Sequence, residues 1–135
     1  MANRRLCASA WLLLVVPHFW AVYACRGCAP LLLRGLYVVG PCTSVWNHGT
    51  TSAAALWADR AAMALGCVVD CCFAIALLTP SAAAAVLALD AAAVACYAVA
   101  KRKLIHNGSD AAHMASHACV SAAHLLLLML LLHGC

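Results

Sequence analysis

The sequence predicts an all-α fold, a polytopic membrane bundle of about five transmembrane helices in a single domain of 135 residues. Two observations predict it. Hydrophobic residues make up 67% of the chain and charged residues 9%, against roughly 25% charged in an ordinary soluble domain. A soluble fold of this length needs more polar surface than these residues supply, whereas side chains that face lipid can be apolar. The apolar residues also fall into five stretches, each long enough to cross a hydrocarbon core that takes about 20 helical residues.

The first stretch, Leu6 to Ala24, carries no charge. Arg4-Arg5 ahead of it and Val22-Tyr23-Ala24 at its end also fit a signal peptide, whose removal would leave four helices. The apolar region exceeds the roughly 7–15 residues such signals use, so a retained helix is expected. The second stretch, Pro30 to His48, holds Arg34 and a Gly40-Pro41 pair, which predicts a weaker helix broken at the proline. The third, Ala53 to Leu78, contains Asp59, Arg60 and Asp70. Thr79-Pro80 predicts a tight turn. The fourth, Ser81 to Ala100, is alanine-rich and suits close helix packing, with Asp90 inside it. The fifth, Ala111 to His133, ends in a leucine run.

Basic residues give the orientation. Arg4-Arg5 precedes the first helix and Lys101-Arg102-Lys103 follows the fourth. Five helices place both clusters on one side, which the positive-inside rule assigns to the cytosol, the N-terminus included. The net charge of +4 does not point to nucleic acid, because no basic stripe with interleaved aromatics is present. Membrane lipid is the expected partner. Most of the ten cysteines lie in apolar segments, where thiols act as small hydrophobes. Cys25 and Cys28 form a lone CxxC. A zinc knuckle needs a second ligand pair, and a disulfide needs an oxidising compartment.

Ionisable residues in a bilayer are costly and mark function. Ser44 and His48 are four apart at the end of the second helix, Asp59 stands near the start of the third, and His113 and His117 are four apart near the start of the fifth. Residues four apart share a helix face, and these helix ends lie on one side of the membrane. The five side chains can therefore meet at one depth. Three imidazoles are suitable zinc ligands and leave a fourth position for water, whose pKa zinc lowers towards about 7. Asp59 is placed to take a proton from such a water and Ser44 to support the water or an oxyanion.

The pattern Ser44-x3-His48, then Asp59, then His113-x3-His117 resembles the CREST membrane hydrolases, which include the alkaline ceramidases and the progestin and adipoQ receptors. Members share Ser-x3-His in the second helix, Asp at the start of the third and His-x3-His in the last. The resemblance implies zinc on His48, His113 and His117, with Asp59 and Ser44 around a zinc-bound water, and hydrolysis of a lipid amide or ester. The family usually has seven helices and this chain has room for five; losing two keeps both motifs on the same side. An acidic N-terminal calcium site like that of ceramidases is missing, since no Glu exists and no Asp precedes Asp59. Ceramide specificity is not carried over.

Secondary candidates are Asp70, eleven residues after Asp59, and His124, seven after His117; both return to the face of their partner. Asp70 is expected to line a cavity with Met63 and Gly66, and Asp90 to pair with Arg34 or Arg60. His18 and His106 read as incidental, and His133 as interfacial. The alternative function is a non-catalytic membrane protein, an assembly partner or receptor-like chain, whose polar residues only join helices. A proton or metal-ion transporter relaying through Asp70, Asp90 and His124 is a third reading, disfavoured by the lack of symmetric halves. The orientation predicts that Asn107, in the sequon Asn107-Gly108-Ser109, stays unglycosylated in cells. A glycan-dependent mobility shift abolished by Asn107→Gln would reverse the topology.

Overall fold

The computed structural model describes residues 3–24, 30–102 and 109–132. These form five helices: α1 Arg4–Ala24, α2 Leu31–Gly49, α3 Ala53–Leu77, α4 Pro80–Lys101 and α5 Ser109–Leu132. Each packs against the next in sequence, and α5 returns to α1, closing an up-and-down ring. α1, α3, α4 and α5 are long and apolar enough to cross a membrane. α2 has 19 residues but is less apolar, because Arg34, Asn47, His48 and its glycines and proline lower its hydropathy. Cys25, Cys28, Lys103, His106, Asn107 and His133 lie outside the described residues.

The chain starts and stops these helices by ordinary means. Asn3 caps α1, its side-chain oxygen accepting from the Arg5 and Leu6 amides at 3.1 and 3.2 Å. Ser52 caps α3 by accepting from the Ala55 amide. Pro80 is the first-turn proline of α4 rather than a separate turn residue; its missing N–H is one that a helix start leaves unbonded anyway. The expected break at Gly40-Pro41 does not occur. α2 runs through Pro41, which is buried, and the Thr43 hydroxyl donates to the Gly40 carbonyl at 2.7 Å beside it.

Proline has a larger effect in α1. Residues Ala10–Val15 form a π-helical segment just before Pro17, with the Val16 amide donating to the Trp11 carbonyl. Pro17 cannot donate to the preceding turn and its ring crowds a carbonyl there, and a widened turn relieves that conflict. The phase of the helix changes as a result. Ser9 and His18, nine residues apart, would lie on opposite faces of a regular helix at about 100° per residue. Both are buried here, because residues in the wider turns advance less.

The bundle keeps polar side chains inside and is apolar outside. Its buried residues include His18, Ser44, His48, Asp70, Asp90, His113, His117 and His124, while Trp20, Leu31, Ile75 and Trp57 are each more than 60% exposed. In water that arrangement would be upside down; in lipid it is what the solvent demands. The stripes that face inward have helical spacing: Leu33, Tyr37, Pro41, Ser44 and His48 on α2, and Ala83, Val86, Asp90 and Ala93 on α4. At the end away from His48 the interior is apolar, built on Leu33, Tyr37, Val86, Leu127 and Leu128. Trp46 and Trp57 at one end, and Trp20 and Tyr23 at the other, are exposed where interfacial aromatics sit.

Truncating Tyr37 to alanine should lower stability in micelles by about 3–5 kcal/mol through the cavity it leaves. Ile75→Ala, on the lipid-facing surface, should change it by no more than about 0.5 kcal/mol. Unfolding titrations of the two variants check this ordering.

Candidate metal centre

Five helix ends meet at one end of the ring: the starts of α1, α3 and α5 and the ends of α2 and α4. The Asn3 amide donates to the His48 carbonyl at 3.1 Å, and the Asn3 side-chain amide donates to Asp110 at 3.0 Å. These bonds join the start of α1 to the end of α2 and the start of α5. Asp110 also lies in the first turn of α5, where the helix dipole favours a carboxylate.

Within this end, His48 of α2 and His113 and His117 of α5 come together. Their ring centroids are 4.8 Å (His48–His113), 5.3 Å (His48–His117) and 5.0 Å (His113–His117) apart. One nitrogen from each lies within 4.8 Å of the others, so a common point exists within about 2.8 Å of all three. Zinc–imidazole bonds of about 2.0–2.1 Å need only small inward rotations from there. All three rings are buried.

The hydrogen bonds decide which nitrogens face that point. The Ser9 hydroxyl donates to the Leu6 carbonyl at 2.9 Å, so its oxygen is left to accept from His117 Nδ1–H at 2.9 Å. The proton is thereby held on Nδ1, and His117 Nε2 presents a bare lone pair. A partner on the far nitrogen is the usual support of a metal-binding histidine. His48 Nε2 is buried with no hydrogen-bond partner. A buried polar atom without a partner is costly, and a metal ion would satisfy it. The donor set therefore fits a cation with nitrogen preference.

The two other predicted residues are close. Ser44 Oγ lies 3.5 Å from His117 Nε2. Asp59 accepts from the Asn47 side-chain amide at 2.7 Å, and Ser44, His48 and Lys101 are among its polar neighbours. Arg60 does not serve Asp59; its guanidinium lies over the Trp57 ring, 5.2 Å from the centroid. Tyr97 of α4 meets His113 edge-on at 5.4 Å, and the Lys101 ammonium sits over Tyr97 at 5.2 Å. Below the histidines a cavity of about 80 Å³ runs inward, with Leu14, Leu36, Met63, Gly66 and Val120 among its walls. It has room for several waters.

The secondary candidates belong to a deeper layer. His124 lies seven residues beyond His117 on α5, about 10 Å further in at 1.5 Å per residue. It stands with Asp70 and Asp90 as a second group of converging ligand atoms. Met63 and Gly66 line the cavity, whereas Asp70 is buried behind it, where Tyr37 donates to it. Asp90 stands with Asp70 and His124, and of its two expected partners the Arg60 guanidinium lies over Trp57 instead. His18, read as incidental, is fully buried and lies 2.6 Å from His124. An ionisable group inside an otherwise uncharged span was the signal for it. Ser9 and Asn47 carried no such signal.

Comparison with family models, with curated proteins and with solved structures finds no match to this chain. Ser9→Ala, which removes the hydroxyl that holds the His117 tautomer, should weaken metal binding about 10–100-fold without loss of helicity. Competition with a fluorescent chelator, alongside circular dichroism, measures both. The chain is a membrane-type helical bundle with buried histidine and aspartate groups able to hold a metal ion.

Proposed function

We propose that this chain is a zinc-dependent hydrolase acting within the membrane on a lipid amide or ester, in the manner of the CREST hydrolases that its motifs resemble. The observation that carries the reading is the convergence of three buried imidazoles, with His48 Nε2 unpartnered and His117 Nε2 left bare. Three neutral imidazoles with an open fourth position are the ligand set of catalytic rather than structural zinc. Bound there, zinc would acidify a water and polarise the carbonyl of the substrate.

The chain's own residues supply the rest. The Asn47 amide holds Asp59 Oδ2, and Ser44 and His48 lie against the same carboxylate, which is placed to take a proton from the attacking water. The Ser44 hydroxyl, beside His117 Nε2, is placed to donate to an oxyanion as it develops. Apolar cavity walls at Leu14, Leu36 and Val120 suit an acyl chain, and they place its carbonyl near the histidines when the chain inserts along the bundle. The exposed Arg4, Arg5, Lys101 and Arg102 surround this end, so the positive-inside rule puts the site at the cytosolic face, next to the headgroups.

Three measurements test the proposal. Purified protein should carry zinc, and His113→Ala should lose it. Asp59→Asn should keep zinc yet lower hydrolysis of labelled N-acyl or ester lipids at least about 100-fold. Zinc retained in His113→Ala defeats the metal site. Zinc present with no turnover of either lipid class leaves a non-catalytic membrane protein as the better description.

A further inference from the structure

The layer beneath the three histidines is built as a chain of fixed hydrogen bonds that ends on an unsatisfied point. His18 Nδ1 lies 2.6 Å from the Leu14 carbonyl. A carbonyl only accepts, so this nitrogen carries the proton. In the neutral ring, His18 Nε2 is then an acceptor. It lies 2.6 Å from His124 Nδ1, which must therefore donate. That leaves His124 Nε2 without a proton, and it stands 2.8 Å from Asp70 Oδ2. A bare nitrogen lone pair against a carboxylate oxygen is repulsive, so a positive charge belongs at this point.

Two carriers of that charge are available: a proton on Asp70 Oδ2 or on the two imidazoles, or a metal ion. The surrounding groups favour the ion. Asp70 Oδ2 has no hydrogen-bond partner despite its closeness to His124, and Asp90 Oδ2 has none either. Both side chains are more than nine-tenths buried, at 0% and 6% exposure. One proton serves one of these oxygens and leaves a net negative charge in a medium that penalises it. One divalent ion serves both carboxylates and the imidazole together and neutralises them. The undirected 2.8 Å contact is also near the spacing of adjacent ligands around an ion with bonds of about 2.1 Å.

The supports are those of a ligand site. Tyr37 donates to Asp70 Oδ1 at 2.5 Å, so only Oδ2 is left to the ion. Tyr37 also stacks on His124 at 3.9 Å, and His18 meets both rings edge-on. Asp90 and His124 both line the cavity that reaches His113 and His117. One opening can thus deliver an ion and its remaining water ligands.

We propose that Asp70, Asp90 and His124 form a second, deeper divalent-cation site, distinct from the three-histidine centre and favouring oxygen-seeking ions such as manganese. Two carboxylates and one imidazole make a harder donor set than three imidazoles. The site does not depend on the hydrolase reading.

The test uses the full chain in detergent micelles, stripped of metal by chelator and titrated with Mn²⁺ alone. Loss of the free-ion electron paramagnetic resonance signal reports binding, and thiols compete poorly for this ion. Wild type and His113→Ala should each bind one Mn²⁺ per chain with similar affinity. Asp90→Asn should bind at least tenfold more weakly at unchanged helicity, and His124→Gln carries the same arm if that variant does not fold. No Mn²⁺ on the wild type overturns the proposal and leaves a proton as the charge carrier. Binding lost in His113→Ala but kept in Asp90→Asn overturns it as well, by placing the ion in the upper centre. Failure of the three-histidine centre is read separately, from zinc content, and leaves this outcome untouched.

Discussion

Lipid offers no partner to a polar side chain, and the rest of this structure follows from that constraint. Eleven buried polar side chains lie on the described helices, and each must find its donor or acceptor inside the ring. The five helices turn these residues inward, where Ser9, His18 and Tyr37 answer partners on other helices and His48 Nε2, Asp70 Oδ2 and Asp90 Oδ2 stay open. The ring closure of α5 onto α1 is part of the solution, because Ser9 and His18 on α1 are the partners of His117 and His124 on α5.

The interior is divided along its length. One end is apolar, with Leu33, Val86, Leu127 and Leu128 in contact, and holds the helices by dispersion and fit. The other end is polar and leaves a cavity. Small residues permit that space: a Cβ added at Gly40 or Gly66 would meet nothing within 4 Å. A bundle packed to its full length would be more stable and would have nowhere to hold an ion or a substrate. Its openness is confined to the end where polar side chains repay it with chemistry.

The two polar layers differ in how they are completed. In the upper layer Ser9 and Asn47 hold His117 and Asp59 in place, and the free nitrogens face a common point. In the lower layer a run from the Leu14 carbonyl through His18 and His124 reaches Asp70, and Tyr37 closes on the same carboxylate. Both layers fix a histidine tautomer through a group on α1. That helix therefore orients the ligands of α5 while contributing none of the atoms that converge on either point.

The helical membrane class, the five helices and the shared depth of His48, Asp59, His113 and His117 were readable from the sequence, although only four of the helices are apolar enough to cross a membrane. They depend on composition and on spacings of three and four, which a regular helix converts directly into a face. The supporting residues were not readable. Ser9 meets His117 across 108 positions of chain, and His18 meets His124 across 106, so no local spacing reports either contact. Regular helical phase would even have set Ser9 and His18 on opposite sides. The π-helical turns before Pro17 bring both inward, and α2 continues through Pro41 where a local rule ends it. Sequence alone determined which faces are polar, because periodicity is a local property. Only the tertiary structure decided which polar group answers which, because that depends on the rotation of each helix against its neighbours.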